Sequence, residues 1–502
     1  MTDFVQVRAK VITDSTGAVA EIPVLLSSEG PLEPLVDYFL WRRHDRSVAW
    51  MRKVTQAVSL LLAYAKANGT DFENSRELFR HFVQRLYSGT LGEDGRDPSG
   101  LYWLPMRGKA AAMLLACLTD FSNWLAEQQG TAPLNASRMA SGYDAILALA
   151  ASEHRRSRAF LGHTWGAPKP RSGEVRVRST LPRRGVAFAD EEAAIAFPEK
   201  HFSDLLLRGL VRRGYAHDPD PYRRLNLRDC LITLLMHGAG FRLSECFHLW
   251  VHDVQPDPHD PTLALVRIHH PCEGNAPEDW FDERGQVIRC NRAAYLAGRY
   301  ARRPRNELLG SEAAGWKHPA LDGRYFMQAF WFPTDLGRLF WQLWKLYLRE
   351  LVQIGRVHPY AFVVLVGTGT GRVYCVENYK QAHRRAVERI GLAVSRLGGT
   401  IPHGHRHAYG RRLARAGVDP VLRKKALHHK ALGSQAVYTT PNLAEVTRAL
   451  TAAAGRLDAL ASEARAVKPT LELAQLLAFG FEDIDPDGLL SGPSPKLLRR
   501  AD

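Results

Sequence analysis

The first thirty residues alternate between apolar and polar positions. Two short segments, FVQVRAKVI and AEIPVLL, show the period of two that is typical of β-strands. Between them lies DSTG, whose residue types favour a turn. We therefore predict an N-terminal β-hairpin or arm over residues 1–29.

Helical spacing replaces this alternation in the next segment. Apolar residues recur at i, i+3 and i+4 from Met51 to Ala65, after a candidate N-cap at Ser47. Further amphipathic runs cover residues 75–87 and 109–129. The pattern predicts a small helical domain over residues 30–153, whose apolar stripes form the core.

Residues 154–184 have no regular period. The segment contains prolines, glycines and many arginines with hardly any acidic residues, as is typical of a basic interdomain linker. One interpretation is a solvated linker. The alternative, which we favour, is a segment that lies along a phosphate backbone. Its candidate DNA-binding residues are Arg176, Arg178, Arg183 and Arg184.

The next region, residues 185–466, begins with buried helices. A helix through Met236 is expected to end at Gly238. A turn then presents Arg242, ahead of a short helix capped by Ser244.

Strand-like segments then flank a long polar insertion. Residues 263–270 and 325–333 have the composition of strands and could pair as a hairpin. The helix after Thr334 is densely apolar, whereas residues 362–366 form either a buried strand or the end of a helix. With a basic helix over residues 376–390, these elements predict a mainly α fold with a small β-sheet, an α+β domain.

Two helices are predicted in the stretch from residue 402 to residue 441. An Arg- and Ala-rich run is expected to end at Gly417, acting as a C-cap. Asp419 caps the next helix, and Pro420 takes its first position, where the missing N–H costs nothing. A helix, a tight turn and a second helix can bring distant residues of this stretch together.

Residues suited to phosphate chemistry concentrate in the same stretch. His403 and Arg406 form a His-x-x-Arg pair, and Tyr438 follows His429 by nine residues. Arginine presents a planar fork of donors that matches two non-bridging phosphate oxygens. Tyrosine offers an oxygen nucleophile that can form a covalent intermediate. The set therefore indicates a phosphodiester substrate.

Overall charge and cysteine usage agree with a nucleic-acid partner. The formal net charge of +15 and a pI near 9.6 favour nucleic acid or another polyanion over a charge that serves solubility alone. The six cysteines are scattered without a C-x-x-C motif, which favours reduced thiols in a cytoplasmic protein. Neither a signal peptide nor an apolar run of 18 residues is recognised, so membrane and secretion roles are not expected.

Three boxes in the chain resemble those of the tyrosine recombinases, the phage-integrase family. They read RDCLITLLMHGAGFRLSECFHLWVHDV, PHGHRHAYGRRLARAGVD and ALHHKALGSQAVYTTP, in the family's order and spacing. They hold, in turn, Arg242 with Glu245, His403 with Arg406, and His429 with Tyr438. The resemblance covers residues 185–465, and the helical domain by position and character.

The resemblance implies DNA strand cleavage and rejoining without a metal or a nucleotide cofactor. Tyr438 would attack a backbone phosphorus, which leaves a 3′-phosphotyrosyl link and a free 5′-hydroxyl. Arg242 and Arg406 would stabilise charge on the non-bridging oxygens. His429 would donate a further hydrogen bond there.

The remaining roles fall to three residues. His403 would act as base or orienting group near the tyrosine, and Glu245 would orient its neighbours. The family also carries a catalytic lysine on the hairpin that residues 271–324 interrupt in this chain. Lys317 is our candidate for this lysine, which would protonate the leaving 5′-oxygen, because the span from Lys200 to Lys345 holds no other.

Two histidines depart from the family pattern. His405 stands where the family usually has an aliphatic residue, and His428 where it usually has glycine. We expect both, together with His407, to be structural or to face DNA.

The resemblance further implies the architecture and the partners. A helical core-binding (SAM-like) domain and a tyrosine-recombinase catalytic domain would form a clamp around double-stranded DNA. A homotetramer on two DNA sites, with possible accessory proteins, would carry out site-specific recombination for a phage or mobile element. An apolar segment in the C-terminal tail, residues 467–502, would dock on a neighbouring protomer. The protein would be cytoplasmic and associated with the nucleoid when bound.

Three rival interpretations remain. The histidines at 403, 405, 407, 428 and 429 could be zinc ligands, although residues two apart on a helix do not share a face. A DNA-binding protein without catalysis would keep the basic surface. A type IB topoisomerase-like enzyme would share the chemistry.

Overall fold

The computed structural model divides the chain into two compact units, residues 1–191 and 192–502. It describes residues 4–17, 19–139, 176–183, 196–429 and 443–464, together with a few positions between 146 and 157. Both helices and small antiparallel sheets are present, so the fold is mixed α+β. The predicted tail, residues 467–502, lies outside the described residues.

An antiparallel sheet opens the first unit, in the order β1 (Val5–Ile12), β2 (Val19–Ser27) and β3 (Gly30–Pro31). The predicted hairpin is therefore confirmed, with Val7 opposite Val24. The side chains of Ile22, Val24 and Leu25 are buried among the helices that follow. The hairpin thus belongs to the same hydrophobic core as the helices.

The helices of this unit are α1 (Glu33–Arg42), α2 (Val48–Asn68), α3 (Ser75–Ser88) and α4 (Gly108–Gln129). Ser47 caps α2 as predicted, because its side chain accepts a hydrogen bond from the N–H of Trp50. A two-stranded ladder joins β4 (Ser137–Met139) to β5 (Arg176–Arg178). Part of the predicted linker is therefore paired with the end of the helical unit.

The second unit contains most of the chemistry-bearing residues. Its helices are α5 (Phe202–Asp204), α6 (Pro221–Arg224), α7 (Leu227–Ala239), α8 (Leu243–Cys246), α9 (Arg292–Tyr300), α10 (Thr334–Val352), α11 (Val376–Arg389), α12 (Pro402–Arg415), α13 (Pro420–Ala426) and α14 (Leu443–Ala464). Every residue of α7 is buried, and the helix packs against α10 and α12. An apolar helix of this kind forms the centre of a core.

A three-stranded antiparallel sheet flanks these helices, in the order β6 (Val254–Pro256), β7 (Ala264–His269) and β8 (Phe326–Gln328). The predicted hairpin is confirmed, since Ile268 pairs with Met327. The helix bounds near Thr334, Gly417 and Asp419 also agree with the sequence prediction. None of the described helices combines the length and the apolar composition needed to cross a bilayer.

Three local predictions were wrong or incomplete. The helix before Arg242 ends at Ala239 rather than Gly238, because Gly240 takes the left-handed conformation (φ +72°). The N-cap position of α8 is held by Arg242 and not by Ser244. Residues 362–366 form neither a regular strand nor a helix end, and contain an isolated β-bridge between Val363 and Val373.

A substitution at Gly240 would test how tightly the turn before Arg242 is packed. A Cβ at this position would lie 2.4 Å from Cδ1 of the buried Tyr409 ring. Gly417 has a similar conformation (φ +68°) but open space around it. We expect Gly417→Ala to cost about 1–2 kcal/mol of unfolding free energy from backbone strain. Gly240→Ala should cost about 1–3 kcal/mol more, from overpacking. Urea titrations of both variants would measure the difference, and equal losses would contradict the packing argument.

Candidate active site

Arg242 enters the site at the turn between α7 and α8. Gly240 ends α7, and its N–H donates to the carbonyls of Leu235 and Met236. The Arg242 guanidinium then donates to Oε1 of Glu245 at 2.6 Å, and the Arg242 backbone N–H donates to Oε2 at 2.8 Å. Glu245 is fully buried. One carboxylate therefore holds both the backbone and the side chain of Arg242.

Arg406 reaches the same turn from α12. Its guanidinium donates to the carbonyl of Gly240 and, at 2.6 Å, to the carbonyl of Leu427. These bonds use two of the five N–H donors of an arginine side chain. Burial and the neighbouring Arg242 lower the pKa of Arg406 to about 10. The bonds join the turn after α7 to the end of α13.

A Schellman arrangement ends α13 and sets the position of His429. The N–H of His428 donates to the carbonyl of Lys425, and the N–H of His429 to that of Lys424, both at 3.0 Å. His428 takes the left-handed conformation (φ +54°), which favours glycine. Glycine would adopt this backbone conformation without strain.

Contacts of the His428 side chain and backbone compensate for this strained conformation. Its ring stacks on Phe241, with centroids 5.1 Å apart, and its Nε2–H donates to the carbonyl of Gln328 at 2.9 Å. Its own carbonyl accepts a hydrogen bond from the N–H of Ala320 at 3.0 Å. His428 thus ties the end of α13 to β8 and to the insertion. The sequence predicted only a structural or DNA-facing role for this residue.

His403 and His429 lie among the cations of this site. Burial, the nearby His407 ring and the charges of Arg406 and Lys317 lower the pKa of His403 to about 4. Burial and the charges of Arg406 and Arg242 lower the pKa of His429 to about 4. Both imidazoles are therefore neutral at pH 7. Arg242 and Arg406 therefore influence both imidazoles electrostatically.

Lys317 is an exposed residue of the insertion between β7 and β8, in a segment without helix or strand. Its ammonium is close enough to depress the pKa of His403. Three residues further on, the Ala320–His428 hydrogen bond anchors this segment. Lys317 therefore lies within electrostatic range of His403, and its role in a common site stays a prediction.

Tyr438 and Arg184 lie outside the described residues. Of the other predicted linker contacts, Arg176 lies in β5. The Arg178 guanidinium donates to Oδ1 of Asn123 at 3.0 Å and to the carbonyl of Asn135 at 2.9 Å. Arg183 is exposed. The DNA-binding role of this segment stays a prediction.

The histidines of the second box do not converge on one point. His403 and His407 share a face of α12, with ring centroids 4.4 Å apart. His405 instead joins a buried chain of hydrogen bonds, which we call the histidine chain. Within the described part of the protein, no group of three or more His, Cys, Asp or Glu side chains could hold a metal ion.

The histidine chain consists of His383, His405 and His237. Nε2 of His405 lies 2.9 Å from Nε2 of His383, and its Nδ1 lies 3.1 Å from Nδ1 of His237. At the far end, Nε2 of His237 lies 3.2 Å from Glu199 and 2.7 Å from an Arg412 nitrogen. Each neutral imidazole has one N–H and one lone pair, so the chain must donate in one direction throughout. These partners give His405 a structural role in the core.

No protein-family model matches this chain, and no curated protein matches it. Among solved structures, the integrase from mycobacterium phage Brujita is similar over 88% of this chain and 96% of that chain. The TM-score is 0.27 and the sequence identity 11%. Similarity this low is not evidence for the function of this chain, which is inferred below from the residues and their geometry.

The histidine chain predicts how stability depends on pH. Burial lowers the pKa of His383 to about 4, well below the ordinary value of 6.5. Between pH 6.5 and 4 the unfolded chain therefore binds a proton that the folded chain does not, and stability falls as the pH falls. The slope is at most about 1.4 kcal/mol per pH unit for each such histidine.

Replacing one member should flatten this dependence. We expect His383→Gln to lose free energy of unfolding less steeply between pH 6.5 and 4 than the unaltered protein, because glutamine does not titrate. Urea titrations at several pH values would measure both slopes, with His44→Gln at an exposed position as the control. Parallel curves for His383→Gln and the unaltered protein would contradict the depressed pKa.

Proposed function

We propose that this protein is a DNA strand-transferring enzyme of the tyrosine recombinase type, with Tyr438 as the nucleophile. The observation that carries the proposal is that Arg406 bonds both the turn before Arg242 and the end of α13 before His429. Arg242 and Arg406 both lower the pKa of His403 and of His429, and Lys317 lowers that of His403. The nucleophile would come from the segment that follows His429.

The electrostatics of the site favour an anionic substrate. Arg242 is paired with Glu245, whereas the two acceptors of Arg406 are carbonyls. Placing cations together out of water costs free energy unless an anion compensates for them. A phosphodiester between Arg242 and Arg406 would supply that charge, and their remaining donors would match its non-bridging oxygens.

The protonation states fit the chemistry of phosphoryl transfer. In the cleavage step the Tyr438 oxygen forms a bond to phosphorus while the bond from phosphorus to the 5′-oxygen breaks. His403 is neutral at pH 7 and can accept the phenol proton. Lys317 delivers a proton to the departing 5′-oxygen, and His429 donates a hydrogen bond to a non-bridging oxygen. Attack of a 5′-hydroxyl on the phosphotyrosine reverses these steps and rejoins the strand.

The substrate in this proposal is double-stranded DNA, and the product is a recombined pair of strands. Recombination between two sites would require a homotetramer, with one Tyr438 for each strand that is cut. Plasmid relaxation without recombination would instead favour a type IB topoisomerase-like activity. Binding without any covalent adduct would favour a DNA-binding protein that has lost catalysis.

Tyr438→Phe tests the nucleophile directly. The variant should bind nicked duplex DNA with unchanged affinity, because one hydroxyl is a small part of a large basic interface. It should form no covalent complex, because phenylalanine has no oxygen to attack phosphorus. Denaturing gels with nicked duplexes drawn from a random-sequence library would reveal the adduct. The control is Tyr409→Phe, at a buried tyrosine bonded to the carbonyl of Phe330. An undiminished adduct in Tyr438→Phe would overturn the assignment.

Lys317 and Arg242 have separable roles in this mechanism. Lys317→Ala should slow cleavage of ordinary DNA by about 10²- to 10⁴-fold, the usual range for a lost general acid. A substrate with sulfur at the bridging 5′ position has a leaving group that needs no proton, so it should restore the rate. Arg242→Ala should remain slow on both substrates, because its charge acts on the non-bridging oxygens. Equal responses of the two variants to sulfur would exclude Lys317 as the acid.

A further inference from the structure

The position of Lys317 depends on an insertion that has little regular structure. Residues 271–324 separate β7 from β8 and include α9 and a 3-10 turn at Arg305–Glu307. From residue 308 to residue 321 the chain forms neither helix nor strand. A catalytic group must be held within a fraction of an ångström, and irregular segments hold such groups less well than helices or strands do. Another interaction must therefore fix this segment.

A buried arginine supplies that interaction. Arg305 is 1% exposed, and its guanidinium donates to three backbone carbonyls. The acceptors are Glu312 at 2.7 Å, Phe247 at 2.9 Å and Tyr374 at 2.9 Å. They belong to the lysine-bearing segment, to the end of α8 and to the residues just before α11. None of the three acceptors is a carboxylate, so burial lowers the pKa of Arg305 to about 10.

Contacts with Arg305 and with other parts of the core also hold the residues on both sides of Lys317. The carbonyl of Arg305 accepts a hydrogen bond from the N–H of Ala314 at 3.0 Å. The buried Trp316 ring packs edge-on against His248, with centroids 5.3 Å apart. Beyond Lys317, Ala320 is bonded to the carbonyl of His428. The segment is therefore held on both sides of Lys317, and its upstream anchor is the Arg305 guanidinium.

We propose that Arg305 is a positioning residue for Lys317. Its planar fork fixes the segment of residues 308–321 to the end of α8, next to the turn that carries Arg242. A buried arginine without a carboxylate partner is costly, and a long apolar side chain would fill the same space at a lower cost. The fork instead supplies directional bonds to three separate segments. This inference rests on the proposed role of Lys317 as general acid.

Arg305→Lys tests the proposal, because lysine keeps the charge and loses the fork. We expect single-turnover cleavage of ordinary nicked DNA to slow by about 10- to 100-fold, because a small misplacement of a catalytic group has an effect of this size. The DNA dissociation constant should stay unchanged. The substrate with sulfur at the bridging 5′ position should return the rate to within a few-fold of that of the unaltered protein. The double variant with Lys317→Ala should be no slower than Lys317→Ala alone.

Arg292→Lys is the matched control. Arg292 is also a buried arginine of the insertion, but it pairs with Asp253 and touches none of the three carbonyls. Any loss of cleavage rate in Arg292→Lys, relative to the unaltered protein, should be the same on the oxygen and sulfur substrates. Amide hydrogen exchange should be faster at Ala314 and Ala320 in Arg305→Lys and unchanged there in Arg292→Lys.

The outcomes separate the two hypotheses. If the unaltered protein forms no covalent adduct, the proposed function fails, and the role of Arg305 fails with it. If the adduct forms but Arg305→Lys is equally slow on both substrates, or is additive with Lys317→Ala, then Arg305 does not act through Lys317. If Arg305→Lys does not fold, Arg305→Gln, which keeps one donor group without the charge, replaces it. The quantity compared is the cleavage rate on the sulfur substrate divided by the rate on the oxygen substrate. A ratio equal to that of the unaltered protein would overturn the proposal.

Discussion

The Arg406 guanidinium is the interaction on which the candidate site depends. It bonds the carbonyls of Gly240 and Leu427, which lie 166 and 21 residues away along the chain. One side chain therefore sets the distance between the turn that presents Arg242 and the cap that presents His429. Because both acceptors are neutral carbonyls, the positive charge of Arg406 is not cancelled by these bonds. These bonds therefore position the residues of the candidate site and leave a positive charge there that favours an anion.

The histidines near that positive charge are neutral. In the site, burial and neighbouring cations keep His403 and His429 unprotonated. Behind the site, burial does the same for His383 and His405 in the histidine chain. A protonated imidazole in either place would add positive charge where water is largely excluded. On α12, His403 and His405 are two residues apart and do not share a face, so one helix contributes both to the candidate site and to the histidine chain.

Much of the secondary structure could be predicted because its signals are local. The hairpin, the cap at Ser47 and the start of α13 after Asp419 follow from residue types within a few positions of one another. The errors have equally physical causes. Gly238 is helical, whereas Gly240, two residues later, takes the left-handed conformation and makes the turn. Distant side chains pack against both glycines, so local composition does not show which of the two ends the helix.

The sequence by itself determined which residues are candidates for phosphodiester chemistry, because their types and spacing can be read without any coordinates. Only the tertiary structure decided which distant residues contact the insertion and the histidines around these candidates. Lys317 lies in an insertion that Arg305 bonds through the carbonyl of Glu312, and His405 joins a chain with His237, 168 residues away. Such contacts depend on where separate segments meet in the folded core. Their geometry is set by packing and by the need to satisfy buried polar groups, which act between residues far apart in the chain.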